Sequence, residues 1–232
     1  MASDFLAPRR CMREPIDEIF DAARLLDRAA DAHLAGDHSG AETLIRSANM
    51  PVVPAWTESL WGSKAANPDQ KMYHRFRAVA SAPPHLPKTQ RIPQRMPSSA
   101  DRSSIVERYG RNCVFCGIPL ISKEVQTAIK LAYPDALLWG RTNPTQHAAF
   151  QCMWLQFDHV LPHSRGGGSA IENIVVTCAP CNYARWHWTL EEVGLIDPRK
   201  LPVNITSWDG LERIFQGAGN STGINATMEH LR

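Results

Sequence analysis

The sequence predicts an α+β protein in which a small, mostly helical N-terminal region precedes a domain built on strand, turn, strand and helix. Three observations predict this. Apolar residues recur at helical spacing from Ile16 through Leu34, at Ile19, Phe20, Ala23, Leu26 and Ala30. A Pro-rich, basic stretch at 81–103 then interrupts any regular pattern. Beyond it, two Cys-x-x-Cys pairs bracket two short runs rich in β-branched and aromatic residues. A chain of 232 residues fits one large domain or two small ones and can bury a sizeable core.

Taken in order, residues 1–14 are expected to form a loose arm. Pro15 suits a helix start, and Asp17 and Glu18 suit the positive end of the helix dipole. Gly36 to Gly40 breaks that helix. A second one carries Ala41, Leu44, Ile45 and Ala48 and is stopped by Pro51. Trp56 to Trp61 reads as a short aromatic helix packed on this hairpin, and 67–79 as another short helix. Together residues 1–80 form the helical region, which is also where a protein partner would dock. Residues 81–103 read as a linker or a basic strap over DNA. Ser104 and Glu107 form a capping-box pattern that opens a short helix ending near Gly110. Residues 122–132 and 143–150 look helical. Trp154 to Val160 reads as a strand with Leu155 and Phe157 on one face and Gln156 and Asp158 on the other. A turn from Pro162 to Gly168, a return strand from Ile174 to Thr177 and a helix from Cys178 to Trp186 follow. The domain is expected over 104–200. After a short helix at 189–195, residues 201–232 should hold one amphipathic piece, Trp208 to Phe215, and a mobile tail.

Formal net charge is only +2, so the overall balance points to no particular partner. The local distribution does: between Lys71 and Arg111 lie nine basic residues against two acids, Asp101 and Glu107. No apolar run is long enough to span a bilayer, the N-terminus lacks a signal-peptide core, and the protein is expected in the cytoplasm. In a reducing compartment the paired spacing of Cys113, Cys116, Cys178 and Cys181 points to one four-thiolate zinc site rather than to disulfides. Cys11 and Cys152 are left over as ordinary thiols, Cys152 as a buried one.

Between and after the thiol pairs stand residues that a bare zinc site does not need: Asp158-His159-Val-Leu-Pro162, Gly166-Gly167, Glu172-Asn173-Ile174, and Cys178-x-x-Cys181-Asn182-x-x-Arg185. With Cys113-x-x-Cys116 before them, this ordered set resembles the HNH endonuclease family and its ββα-metal fold, over about residues 101–200. The resemblance implies a metal-dependent DNA endonuclease or nickase. A phosphodiester repels an attacking hydroxide, so cleavage needs a cation on the phosphate and a base for water. By the resemblance, Mg²⁺ sits between Asp158 and Asn182, whose oxygens suit a hard cation. His159 is then the general base, because its ordinary pKa near 6.5 lets it take a proton at neutral pH. Asn173 braces the turn and orients His159. Arg165, Arg185 and His163 are the candidate DNA contacts.

One departure and one rival stand beside this. The interval between Cys116 and Asp158 is long for the family, so residues 122–150 form an insertion. The rival is a zinc-stabilised nucleic-acid-binding module without catalysis. Restriction, phage defence and mobile elements are all settings for such a nuclease.

Overall fold

Asp17 and Glu18 open α1 (Asp17–Leu34), which buries Ile19, Ala22, Ala23, Leu26, Ala29 and Ala30 along one stripe. Gly36, at φ +79°, lets the chain turn back, and Asp37 caps α2 (His38–Ser47) through the Gly40 amide at 2.8 Å. The third helix, α3 (Val52–Trp61), buries Val53, Trp56 and Leu60. This computed structural model describes residues 8–61 and 77–220. The helix expected at 67–79 falls mostly outside them, and residues 77–79 are not helical; the tail beyond 220 lies wholly outside.

The expected loose arm is not loose where it is described. Arg9 exchanges backbone hydrogen bonds with Gly194 (2.9 Å) and Ile196 (3.0 Å), and Cys11 and Met12 are buried. Nor does the helical region stand apart. One hydrophobic core runs from Cys11 to Ile214 and includes residues from both halves. The physical reason is that α1 and α2 leave apolar surface that two helices cannot cover alone. The insertion covers it. Its helices are α5 (Lys123–Ala132), capped by Ser122, and α6 (Ala148–Cys152). Buried His147 hydrogen-bonds the Ile45 carbonyl at 2.8 Å, and the Ala148 amide donates to Asn49 at 2.8 Å. The Tyr133 hydroxyl meets Nδ1 of both His33 (2.6 Å) and His38 (3.1 Å). So the insertion is mortar between the halves.

After the basic stretch comes α4 (Ser99–Tyr109). Its capping box is Ser98 with Asp101, not Ser104 with Glu107, so the helix starts six residues earlier than the sequence suggested. Ser104 instead returns its hydroxyl to the Ala100 carbonyl at 3.2 Å, as a mid-helix serine does. The sheet has two antiparallel strands, β1 (Leu155–His159) and β2 (Ile174–Cys178), in register from Leu155 opposite Cys178 to His159 opposite Ile174. The helix α7 (Ala179–Arg185) follows β2 directly, with Pro180 in its first turn. It packs on both strands and on α3, where the Trp61 and Tyr183 rings meet edge to face at 5.3 Å.

Residues 189–195 form a capped turn rather than a helix: Thr189 and Glu192 bond each other's amides at 3.2 and 2.8 Å, and Gly194 at φ +66° ends the segment. In place of an amphipathic α-helix at 208–215, a 3₁₀ helix runs from Glu212 to Asn220. Arg213 fastens it to α1 through Asp27 and Asp31, and to Asp209.

Candidate active site

The four cysteines expected to hold zinc converge. The Sγ atoms of Cys113, Cys116, Cys178 and Cys181 all lie within 4.8 Å of one another, and none of the four is in a disulfide. A tetrahedral ion with Zn–S near 2.3 Å needs sulfurs roughly 3.8 Å apart; Cys116 and Cys178 stand at 3.6 Å. The knuckle is preformed by backbone bonds from Gly117 to Cys113 (2.8 Å) and from Val114 to Val176 of β2 (3.1 Å), with Gly117 at φ +78°. Burial raises all four thiols, but three neighbouring sulfurs hold Cys113 well below the ordinary thiol range. A dry box of four converging thiols, one of them held toward the thiolate by the other three, fits a soft divalent ion. These residues would hold it between the start of the domain and the start of α7.

The turn between the strands is shaped by Asn173 and two glycines. Asn173 Oδ1 accepts from the Leu161 amide at 2.8 Å, and its Nδ2 donates to the carbonyls of Leu161 (3.1 Å) and Gly168 (2.8 Å). Gly166 sits at φ +89°, and a Cβ on Gly167 would lie 1.8 Å from the Leu161 oxygen. The Gly run is therefore a steric requirement of a turn closed on Asn173.

His159 ends β1 and is 7% exposed. Its Nε2 lies 3.4 Å from Ser169 Oγ, its ring 5.7 Å from that of His163. Burial first, then the charges of His163, Arg95 and Arg185, lower its pKa to about 4, with a hydrogen bond to the Arg95 backbone opposing. It is thus neutral at pH 7 and free to accept a proton, although a base this acidic is a weak one.

Asp158 and Asn182 are placed differently from the expectation. Strand alternation sends Asp158 toward α7, where Arg185 takes both its oxygens: Nε donates to Oδ2 at 2.9 Å and an Nη to Oδ1. The same guanidinium donates to the carbonyls of His159, Val160 (3.4 Å) and Trp188 (2.9 Å) and is 1% exposed. Burial pushes the Asp158 carboxyl up, against the pull of Arg185. A water-rich Mg²⁺ does not fit beside a buried carboxylate already capped by a fixed cation. The assignment of Asp158 as an ion ligand is therefore not met by this arrangement. Asn182 faces Gln156, its Nδ2 at 3.5 Å from Gln156 Oε1. Gln156 went unconsidered as a site residue, although alternation already put it on the same face as Asp158.

All three candidate DNA contacts have partners within the chain, and the two arginines turn inward. Arg185 is the buried partner of Asp158. Arg165 is 10% exposed at its side chain and pairs with Glu192 at 3.0 Å, while also reaching the carbonyls of Pro83 (2.5 Å) and His187 (3.3 Å). His163 Nε2 bonds the Ile92 carbonyl at 2.7 Å. For Arg185 and Arg165 the partner is a buried carboxylate, which would be costly to leave unpaired; His163 bonds an exposed backbone carbonyl. Glu192 was missed, although Thr189 three residues before it is a visible capping signal.

Among known proteins, the model of the HNH endonuclease family matches residues 145–185. No curated protein and no solved structure gives a match. The matched span contains α6, β1, the Asn173-braced turn, β2 and α7, with His159, Asn173, Cys178, Cys181 and Asn182 all inside it. Residues 145–185 therefore match the HNH endonuclease family model, and two cysteines of that span belong to a four-cysteine cluster compatible with a zinc site.

Proposed function

We propose that the protein is a metal-dependent DNA endonuclease or nickase, hydrolysing phosphodiester bonds with His159 as general base. The observation that carries this reading is His159 itself. It stands at the end of β1, neutral at physiological pH, in a turn held by three hydrogen bonds from Asn173 within the matched domain. In this reading a neutral imidazole takes the proton of the attacking water. Asn173 fixes the turn that aims it. Arg185 holds the His159 carbonyl and the Asp158 carboxylate, so it positions the strand end from beneath. A divalent ion, Mg²⁺ by the resemblance, would supply charge neutralisation at the phosphate when bound. Zn²⁺ in the thiol cluster would contribute to folding and not to the reaction.

The activity fits restriction, phage defence or a mobile element, in the cytoplasm. Among the described residues no helix is long and apolar enough to cross a membrane. The rival, a non-catalytic nucleic-acid-binding module, draws support from the burial of His159 and the commitment of Asp158 to Arg185. Supercoiled plasmid incubated with the purified chain separates them. Nicking that needs Mg²⁺ and stops in EDTA supports the nuclease; binding without nicking in Mg²⁺, Mn²⁺ or Co²⁺ supports the module.

A further inference from the structure

The basic, Pro-rich stretch was expected to be a linker or a strap over DNA. It lies instead across the turn that carries the candidate base. The Leu86 amide donates to the Ser164 carbonyl at 2.8 Å. His163 Nε2 bonds the Ile92 carbonyl at 2.7 Å, and Ser169 Oγ donates to the Gln94 carbonyl at 2.9 Å. Arg165 reaches the Pro83 carbonyl at 2.5 Å. Leu86 Cδ1 and Ile92 Cδ1 lie against Gly166 and Gly168, 3.6 and 3.4 Å from where Cβ atoms would stand. Arg95 reaches His159 through its backbone. So His163 and Ser169, which lie beside His159, and Ser164 between them each have a partner on this one segment.

From these contacts we infer that residues 83–96 are an autoinhibitory strap, which covers His159 and must lift before a phosphodiester can reach it. This rests on the nuclease reading of the site. Three features mark the strap as removable. It contributes few buried side chains, since Lys88, Ile92, Gln94 and Arg95 are exposed and Leu86 and Arg91 half-buried. It is held by scattered hydrogen bonds rather than by a sheet edge or a helix. Its fixed ends differ from its middle: Arg77 bonds the Glu192 carbonyl at 2.9 Å on one side, and buried Pro97 leads into the capped start of α4 on the other. A segment tied at both ends and loosely held between them can lift without unfolding the domain.

The test compares the full chain with a Leu86→Ser/Ile92→Ser double variant and with a chain whose residues 84–95 are replaced by Gly and Ser at equal length. None of these changes touches a residue placed in the machinery. Two rates are read: carbethoxylation of His159 by diethyl pyrocarbonate, followed by mass spectrometry, and plasmid nicking in Mg²⁺. Loss of one or two anchoring contacts should raise both rates roughly tenfold if the closed form dominates, with circular dichroism unchanged. Unchanged carbethoxylation overturns the strap. Faster carbethoxylation with slower nicking also overturns it, because the segment then belongs to the substrate cradle. Faster carbethoxylation with no nicking in any divalent ion upholds the cover and overturns the nuclease reading on which its purpose rests.

Discussion

Replacing Arg185 by Met tests the placement of the buried pair. Asp158 and Arg185 side chains are 6% and 1% exposed, and the guanidinium serves the carboxylate and three backbone carbonyls at once. Met fills much of the same volume but leaves the carboxylate buried with no counter-charge. Breaking a buried pair from one side costs about 3–5 kcal/mol. For a chain of this size each kcal/mol moves Tm by roughly 2–4 °C, so the variant should melt on the order of 10 °C lower. Adding Asp158→Asn should recover a large part of the loss, since both charges are then gone. Arg185→Lys should fall between, keeping the charge but losing the fork. Urea unfolding followed by circular dichroism, at fixed zinc, gives the free energies. If Arg185→Met costs less than about 1 kcal/mol, as an exposed pair would, the guanidinium faces solvent and the reasoning about Asp158 fails.

Other outcomes follow from single contacts. Cys178→Ser removes one of four converging thiols, and elemental analysis should find bound zinc lost together with cooperative unfolding. Asn173→Ala strands three backbone groups of the turn and should cost about 2–3 kcal/mol in urea unfolding. His147 is held neutral by burial, its pKa lowered to about 4, so protons favour the unfolded chain. Its contribution is complete above the ordinary histidine value near 6.5 and falls by about 3 kcal/mol as the pH drops to 4. His159 adds to the same slope. Stability measured from pH 7 to pH 4.5 should therefore decline less steeply for His147→Gln than for the parent chain.

α1, α2, α5, the two strands and the thiol cluster were legible because each rests on local spacing: helical recurrence in α1, alternation in β1, paired Cys-x-x-Cys. The turn was legible because Gly166, Gly167 and Asn173 lie close in sequence and answer to one another sterically. What was not legible is direction. An arginine reads the same whether it faces phosphate or a buried carboxylate, and Asp158 and Arg185 lie 27 positions apart, as do Arg165 and Glu192. A partial signal existed. Gln156 and Asp158 share a strand face, and Asn182 and Arg185, three apart, share a helix face, so packing the two faces together pairs Arg185 with Asp158. The strap was illegible for another reason: its backbone carbonyls, which make most of the contacts, carry no sequence signature. The union of the helical region with the domain was hidden because the insertion that joins them looked like surplus.

The central claim is that His159 is the base of a hydrolytic site. Single-turnover cleavage of supercoiled plasmid by the parent chain and by His159→Ala, in Mg²⁺ and at matched zinc content, tests it most directly. A positioned base contributes about 10²–10⁴-fold, so the variant should lose at least about a hundredfold in rate while keeping its fold, its zinc and its affinity for DNA. Cleavage within about twofold of the parent rate would contradict the assignment and leave the matched domain without a working site at His159.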